Sequence, residues 1–127
     1  MSGFNALRTE LAQRLSDATG LPVVPHPPLQ TATVATLYFR QFESEPVAQG
    51  SHTARFVLVL ARPFTQAAQS FDELGVYVDG SSSVIGALDS LNLTHGSAQC
   101  DGSWEMEAVE IGGTMCAAVA WPVEIEW

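Results

Sequence analysis

The chain has 127 residues, 46% of them hydrophobic, enough to bury the core of one domain. Its 14 Asp and Glu face five Arg and no Lys, and the net charge of −9 excludes a protein that grips nucleic acid through clustered cations. The longest apolar runs, such as FVLVLA at 56–61, fall far short of the roughly 20 residues of a membrane-spanning helix.

In chain order, Phe4, Leu7, Leu11, Leu15 and Ala18 recur at three- and four-residue steps and predict an amphipathic helix over 4–18. Ser2 is placed to cap it, and Gly20 and Pro22 to end it. The opening MSGFNALRTEL lacks the basic start and apolar stretch of a secretory signal, so folding in a cytoplasm is expected, with Cys100 and Cys116 as free thiols. A short strand is expected at 21–24, and Pro25-His26-Pro27-Pro28 then forces an extended connector.

The β-branched and aromatic residues from Thr33 to Phe42 predict a strand, and a polar loop is expected from Glu43 to His52, with Pro46 and Gly50 as breakers. Thr53 to Arg62 is the next strand. Its FVLVLA run lacks alternation, which marks a central strand buried on both faces. Phe64, Ala67, Ala68, Phe71, Leu74 and Val78 trace a second helix, broken at Asp79-Gly80. Ser81 to Ser83 offer caps for a third, with Val84, Ile85, Leu88 and Leu91 on one side, completing a helical hairpin across the sheet.

The last third returns to strands, about Ser97 to Ile111 and Thr114 to Trp127, joined by a two-residue Gly112-Gly113 turn. That turn sets Thr114 opposite Ile111 and Cys116 opposite Val109, leaving Cys100 out of register with Cys116. Pro122 is expected at a bulge or on an edge, because it has no N–H for a ladder. Val123, Ile125 and Trp127 alternate with Glu124 and Glu126, giving one buried and one acidic face. The expected fold class is α+β: one domain over 1–127, with a mostly antiparallel or mixed sheet of about four to six strands flanked by an N-terminal helix and a central helical hairpin.

The residue pattern contains no catalytic, cofactor-binding or metal-ligating constellation. His26, His52 and His95 fall in a connector, a loop and a turn without metal-ligand spacing. Asp72 and Glu73 are adjacent on a helix and diverge, so they read as a solvated face. Tyr38, Phe39, Phe42 and Trp104 lack the basic neighbours of a base-stacking surface and read as packing residues. A large apolar residue at the last position, Trp127, calls for a covering surface.

The stretch TARFVLVLARPFTQAAQSFDELGVYVDGSSSVIGALDSL and the ending AVEIGGTMCAAVAWPVEIEW, in this order of elements, resemble the tail terminator family of long-tailed phages, the lambda-type terminators and their actinophage relatives. The resemblance implies a structural, non-catalytic virion protein without cofactor or metal. In that family six copies form a ring that caps the tail tube, ends its polymerisation at the length set by the tape measure protein, and offers a surface to a head-completion or connector protein. The implied location is the head-proximal end of the virion tail, after assembly in the host cytoplasm, with DNA passing through the lumen without specific binding and no membrane contact. The candidate interface residues are Glu43, Glu45, Gln49 and His52 of the loop, and Glu124, Ile125, Glu126 and Trp127 of the last strand. A head–tail connector or neck subunit is the neighbouring reading. A small-molecule-binding α+β domain is the reading from a different class, and it requires convergent polar groups in an apolar pocket.

Overall fold

Leu7, Leu11 and Leu15 lie along one stripe of the first helix, α1 (Gly3–Thr19), and all three are fully buried. Burying each contributes about 1.5–3 kcal/mol relative to exposure. Thr19 Oγ1 donates to the Leu15 carbonyl (2.6 Å), and Gly20 turns the chain with φ +73°. The computed structural model describes residues 3–30, 34–45, 52–64 and 67–127. The expected cap Ser2, the strand start Thr33, the breakers Pro46 and Gly50, and Gln49 lie outside them, as do the side chains of Glu45, Ala67 and Ala68.

The fold is α+β, a mixed, mostly antiparallel six-stranded sheet with its helices on one face. The strands are β1 (Val23–Val24), β2 (Thr36–Glu45), β3 (Thr53–Pro63), β4 (Ser97–Gln99), β5 (Glu105–Ile111) and β6 (Thr114–Glu126). They run in the order β1-β2-β3-β6, and β4 and β5 share the far side of β6; β1 is parallel to β2 and every other pairing is antiparallel. As the FVLVLA run predicts, β3 lies between two strands, with Leu58, Val59 and Leu60 fully buried.

Between β3 and β4 come α2 (Ala67–Gly75), a short 3₁₀ turn at Gly80–Ser82, and α3 (Val84–Asp89). Ser83 caps α3, its Oγ accepting from the Gly86 N–H at 3.1 Å. The second helix is shorter than its apolar stripe, because Tyr77 and Val78 donate back to Leu74 and Gly75 in a closing turn.

Three expectations are corrected. Glu43 to Glu45 are strand and not loop: they pair with Arg55, Ala54 and Thr53, beyond a bulge at Gln41, which holds φ +56°. The segment expected as one strand from Ser97 to Ile111 is two, β4 and β5, separated by an excursion over 100–104. Pro122 lies in a central strand. Residues 100–104 arch out opposite residues 121–123, so no ladder partner stands on that side of the proline. The Gly112-Gly113 turn holds φ values of 59° and 81° and sets the predicted pairs Ile111↔Thr114 and Val109↔Cys116.

A second tie fixes α1 to the segment between α3 and β4. The Glu10 carboxylate accepts from the Thr94 hydroxyl (2.6 Å), the Thr94 N–H (2.8 Å) and the His95 N–H (3.0 Å). The Thr94 hydroxyl bond leads the causes that hold its pKa at about 2, down from 4.5. Because the folded value is depressed, this stabilisation is complete above 4.5 and is lost as pH falls through about 2. Glu10→Ala is expected to lower the urea midpoint at neutral pH, with the gap to the parent protein narrowing across that acid window; an unchanged gap refutes the role of the ionised carboxylate.

Candidate interaction surface

The alternation of β6 sorts its side chains between two environments. Ala117, Val119, Trp121, Val123 and Ile125 enter the layer beneath the helices, and Trp121 is the largest fully buried side chain. Cys116, Ala118, Ala120, Pro122, Glu124 and Glu126 point to the other face, which carries no helix.

At one end of this open face the Pro-rich connector crosses the sheet. Pro28 and Gln30 line a crevice with Thr36, Tyr38, Ala61 and Cys116, leaving Tyr38 only 4% exposed. Burial pushes the Tyr38 hydroxyl pKa up. In the middle, Arg40 Nη2 of β2 donates to Glu107 Oε1 of β5 at 2.7 Å. These residues are on opposite sides of β3 and β6, and the small side chains of Ala118 and Ala120 leave room for the pair to span both strands.

The other end is acidic. The β2–β3–β6 pairing aligns Glu43, Arg55 and Glu124 across three strands, with Arg55 Nε 4.0 Å from Glu124 Oε2, and Glu126 follows at the end of β6. Between the ion pair and this end, the Gln41 bulge and the 100–104 excursion face each other across Val57, Ala120 and Pro122, forming an open groove of about 340 Å³ with Trp104 on its wall. The excursion is a built turn: the Ser103 N–H donates to Asp101 Oδ1 at 2.8 Å, and Gly102 holds φ +88°. Hydrogen bonds from the Ser103 hydroxyl first and its N–H second lower the Asp101 carboxyl pKa, while burial raises the Cys100 thiol's. Cys100 and Cys116 are both free, as their register predicts.

The eight candidate residues divide. Glu43, Glu124 and Glu126 converge on the open face, and the Glu45 backbone joins them through Thr53, which pairs with both Glu45 and Glu126. Gln49 is outside the described residues. Ile125 is 1% exposed and belongs to the core, so its side chain does not face outward. Trp127 is half-buried within its own chain: its ring lies 5.4 Å from Phe4 and stacks on His52 at 5.5 Å, and a Cβ on Gly3 would come within 2.8 Å of it. The backbones of His52 and Trp127 also exchange two hydrogen bonds, at 3.0 and 3.1 Å.

His26, His52 and His95 are exposed, and among the described residues no group of three or more His, Cys, Asp or Glu is arranged to hold a metal. Asp72 is exposed, while Glu73 pairs with the Arg62 guanidinium. Residue patterns missed the Arg40–Glu107 pair, whose members are 67 positions apart, and the Trp104 groove, for which Pro122 was the sole local signal. No model of a known protein family matches this chain, and no curated protein matches it.

The Arg40 and Glu107 side chains are 26% and 32% exposed, so their pairing sits between a surface bridge and a buried one. A double-mutant cycle with Arg40→Ala and Glu107→Ala is expected to give a coupling of about 1 kcal/mol in urea unfolding, weakening as salt is added. Zero coupling at low salt rejects the bridge as a strap across the sheet.

Proposed function

We propose that this chain is a non-catalytic, self-assembling virion protein, the tail terminator of a long-tailed phage, whose copies form a ring on the last layer of the tail tube. The observation that carries the reading is the helix-free sheet face whose far end sets three carboxylates, Glu43, Glu124 and Glu126, around the single cation Arg55. A carboxylate-lined surface suits the wall of a channel through which DNA slides, since attraction to each phosphate slows passage. The resemblance in element order supports a six-fold ring that ends tube growth and meets a head-completion protein.

Electron microscopy of the purified protein, alone and mixed with tube subunits, tests the reading. Rings that seat on tube ends and stop further subunit addition are expected. Solitary molecules that ignore tube ends at high concentration refute it.

The acidic wall has its own test. Replacing Glu124 and Glu126 by Lys is expected to create salt-sensitive DNA binding that the parent protein lacks. DNA affinity unchanged by the double replacement removes these residues from the channel. Charge replacement is a cleaner probe than deleting residues 124–127, because deletion also takes Ile125 from the core and removes the His52–Trp127 pairing.

A further inference from the structure

The connector and the groove lie at different parts of the same open face and are complementary. Leu29 projects from the connector with 89% of its surface exposed, the most of any large hydrophobic among the described residues; the next is Val34 at 56%. Pro27 and Pro28 precede it and fix the local backbone, so little conformational freedom remains to be lost on docking. Its own copy holds the connector away from the groove, on the open face through the crevice with Cys116 and from the helix side through Arg8 of α1, which donates to the Pro25 carbonyl at 3.2 Å.

The groove presents an apolar floor of Val57, Ala120 and Pro122 and the half-exposed Trp104, enclosing about 340 Å³. We propose that Leu29 of one copy seats against Trp104 and Pro122 in the groove of the next, joining copies head to tail. This rests on the self-assembly part of the function proposed above and assigns the contact that makes it.

Charge selects this occupant. Each copy carries a net −9, so copies approach most readily through surface without carboxylates. Between Asp17 and Arg40 the chain has no Asp, Glu, Lys or Arg, and that uncharged run contains the connector. The groove itself is lined by Glu105 and by Arg40, whose guanidinium is engaged with Glu107. Asp101 lines the neighbouring hollow beyond Pro122, while Arg8 of α1 reaches Pro25 of the connector. Groove against groove would set these carboxylates against their own copies, which disfavours two-fold pairing and favours a heterologous contact that closes a ring by rotation.

The test is native mass spectrometry and sedimentation of the full chain carrying Leu29→Ser or Trp104→Ala. The exposure of Leu29 leaves the fold intact in the first variant, which circular dichroism and an unchanged urea midpoint verify. Each substitution is expected to raise the concentration for half-assembly by about tenfold or more, as loss of a central apolar anchor does. In a Cys100→Ser background, mixing Leu29→Cys with Gln41→Cys is expected to give an oxidant-dependent disulfide between the two variants. Assembly at parental concentrations by both single variants overturns the Leu29 contact while the self-assembly reading stands. A parent protein that stays monomeric at every concentration overturns both.

Discussion

The last strand is hydrogen-bonded on both sides for most of its length, to β3 along one edge and to β5 and β4 along the other. A strand has a side-chain period of two, so this register decides at once which residues enter the core and which face outward. Trp121, Val123 and Ile125 meet the helices because Pro122, Glu124 and Glu126 do not. A slip of one residue would bury two carboxylates and a proline and expose the tryptophan. The cost of an unpaired buried carboxylate makes such a slip inaccessible.

Other features act to hold that register. The Gly112-Gly113 turn sets it at one end, and the His52–Trp127 pairing closes it at the other, where Trp127 meets Phe4 of α1. Phe4 in turn meets Phe42 edge-on at 5.3 Å, and Phe42 stacks on Phe56 at 5.0 Å, so one aromatic cluster joins the first helix, the β2 bulge and the central strand. The Glu10 carboxylate adds a polar tie between α1 and the Thr94 segment. The N-terminal helix thus clamps both the end of β6 and the approach to β4.

The same constraint shapes the outer face. Pro122 interrupts the ladder, the neighbouring chain arches away over residues 100–104, and the arch carries Trp104 to the rim of a groove. Across the sheet the Gln41 bulge restores alternation, so that Glu43 falls on the open face beside Arg55 and Glu124. One backbone irregularity on each side therefore accounts for both the apolar groove and the acidic end. The proposed ring uses the two differently, the groove for joining copies and the carboxylates for a wall that DNA does not wet. Among the described residues, Arg40 and Arg55 pair with Glu107 and Glu124 on this face, so part of its acidity is balanced within the chain.

The amino-acid sequence by itself determined the elements whose signal is local: the leucine stripe of α1, the unalternating run of β3, the Ser83 cap, and a Gly-Gly turn that set the Val109↔Cys116 register. Each rests on periodicity or on a backbone requirement within a few residues. Tertiary structure alone decided the extension of β2 through Glu45, since the polar segment FESE becomes strand only when Thr53 to Arg55 are there to pair with it. It also split β4 from β5, brought Arg40 to Glu107, and covered Trp127 with Phe4 and His52 of its own chain. Those outcomes depend on which strands become neighbours, and pairing partners dozens of residues apart leave no trace in the local pattern of either one.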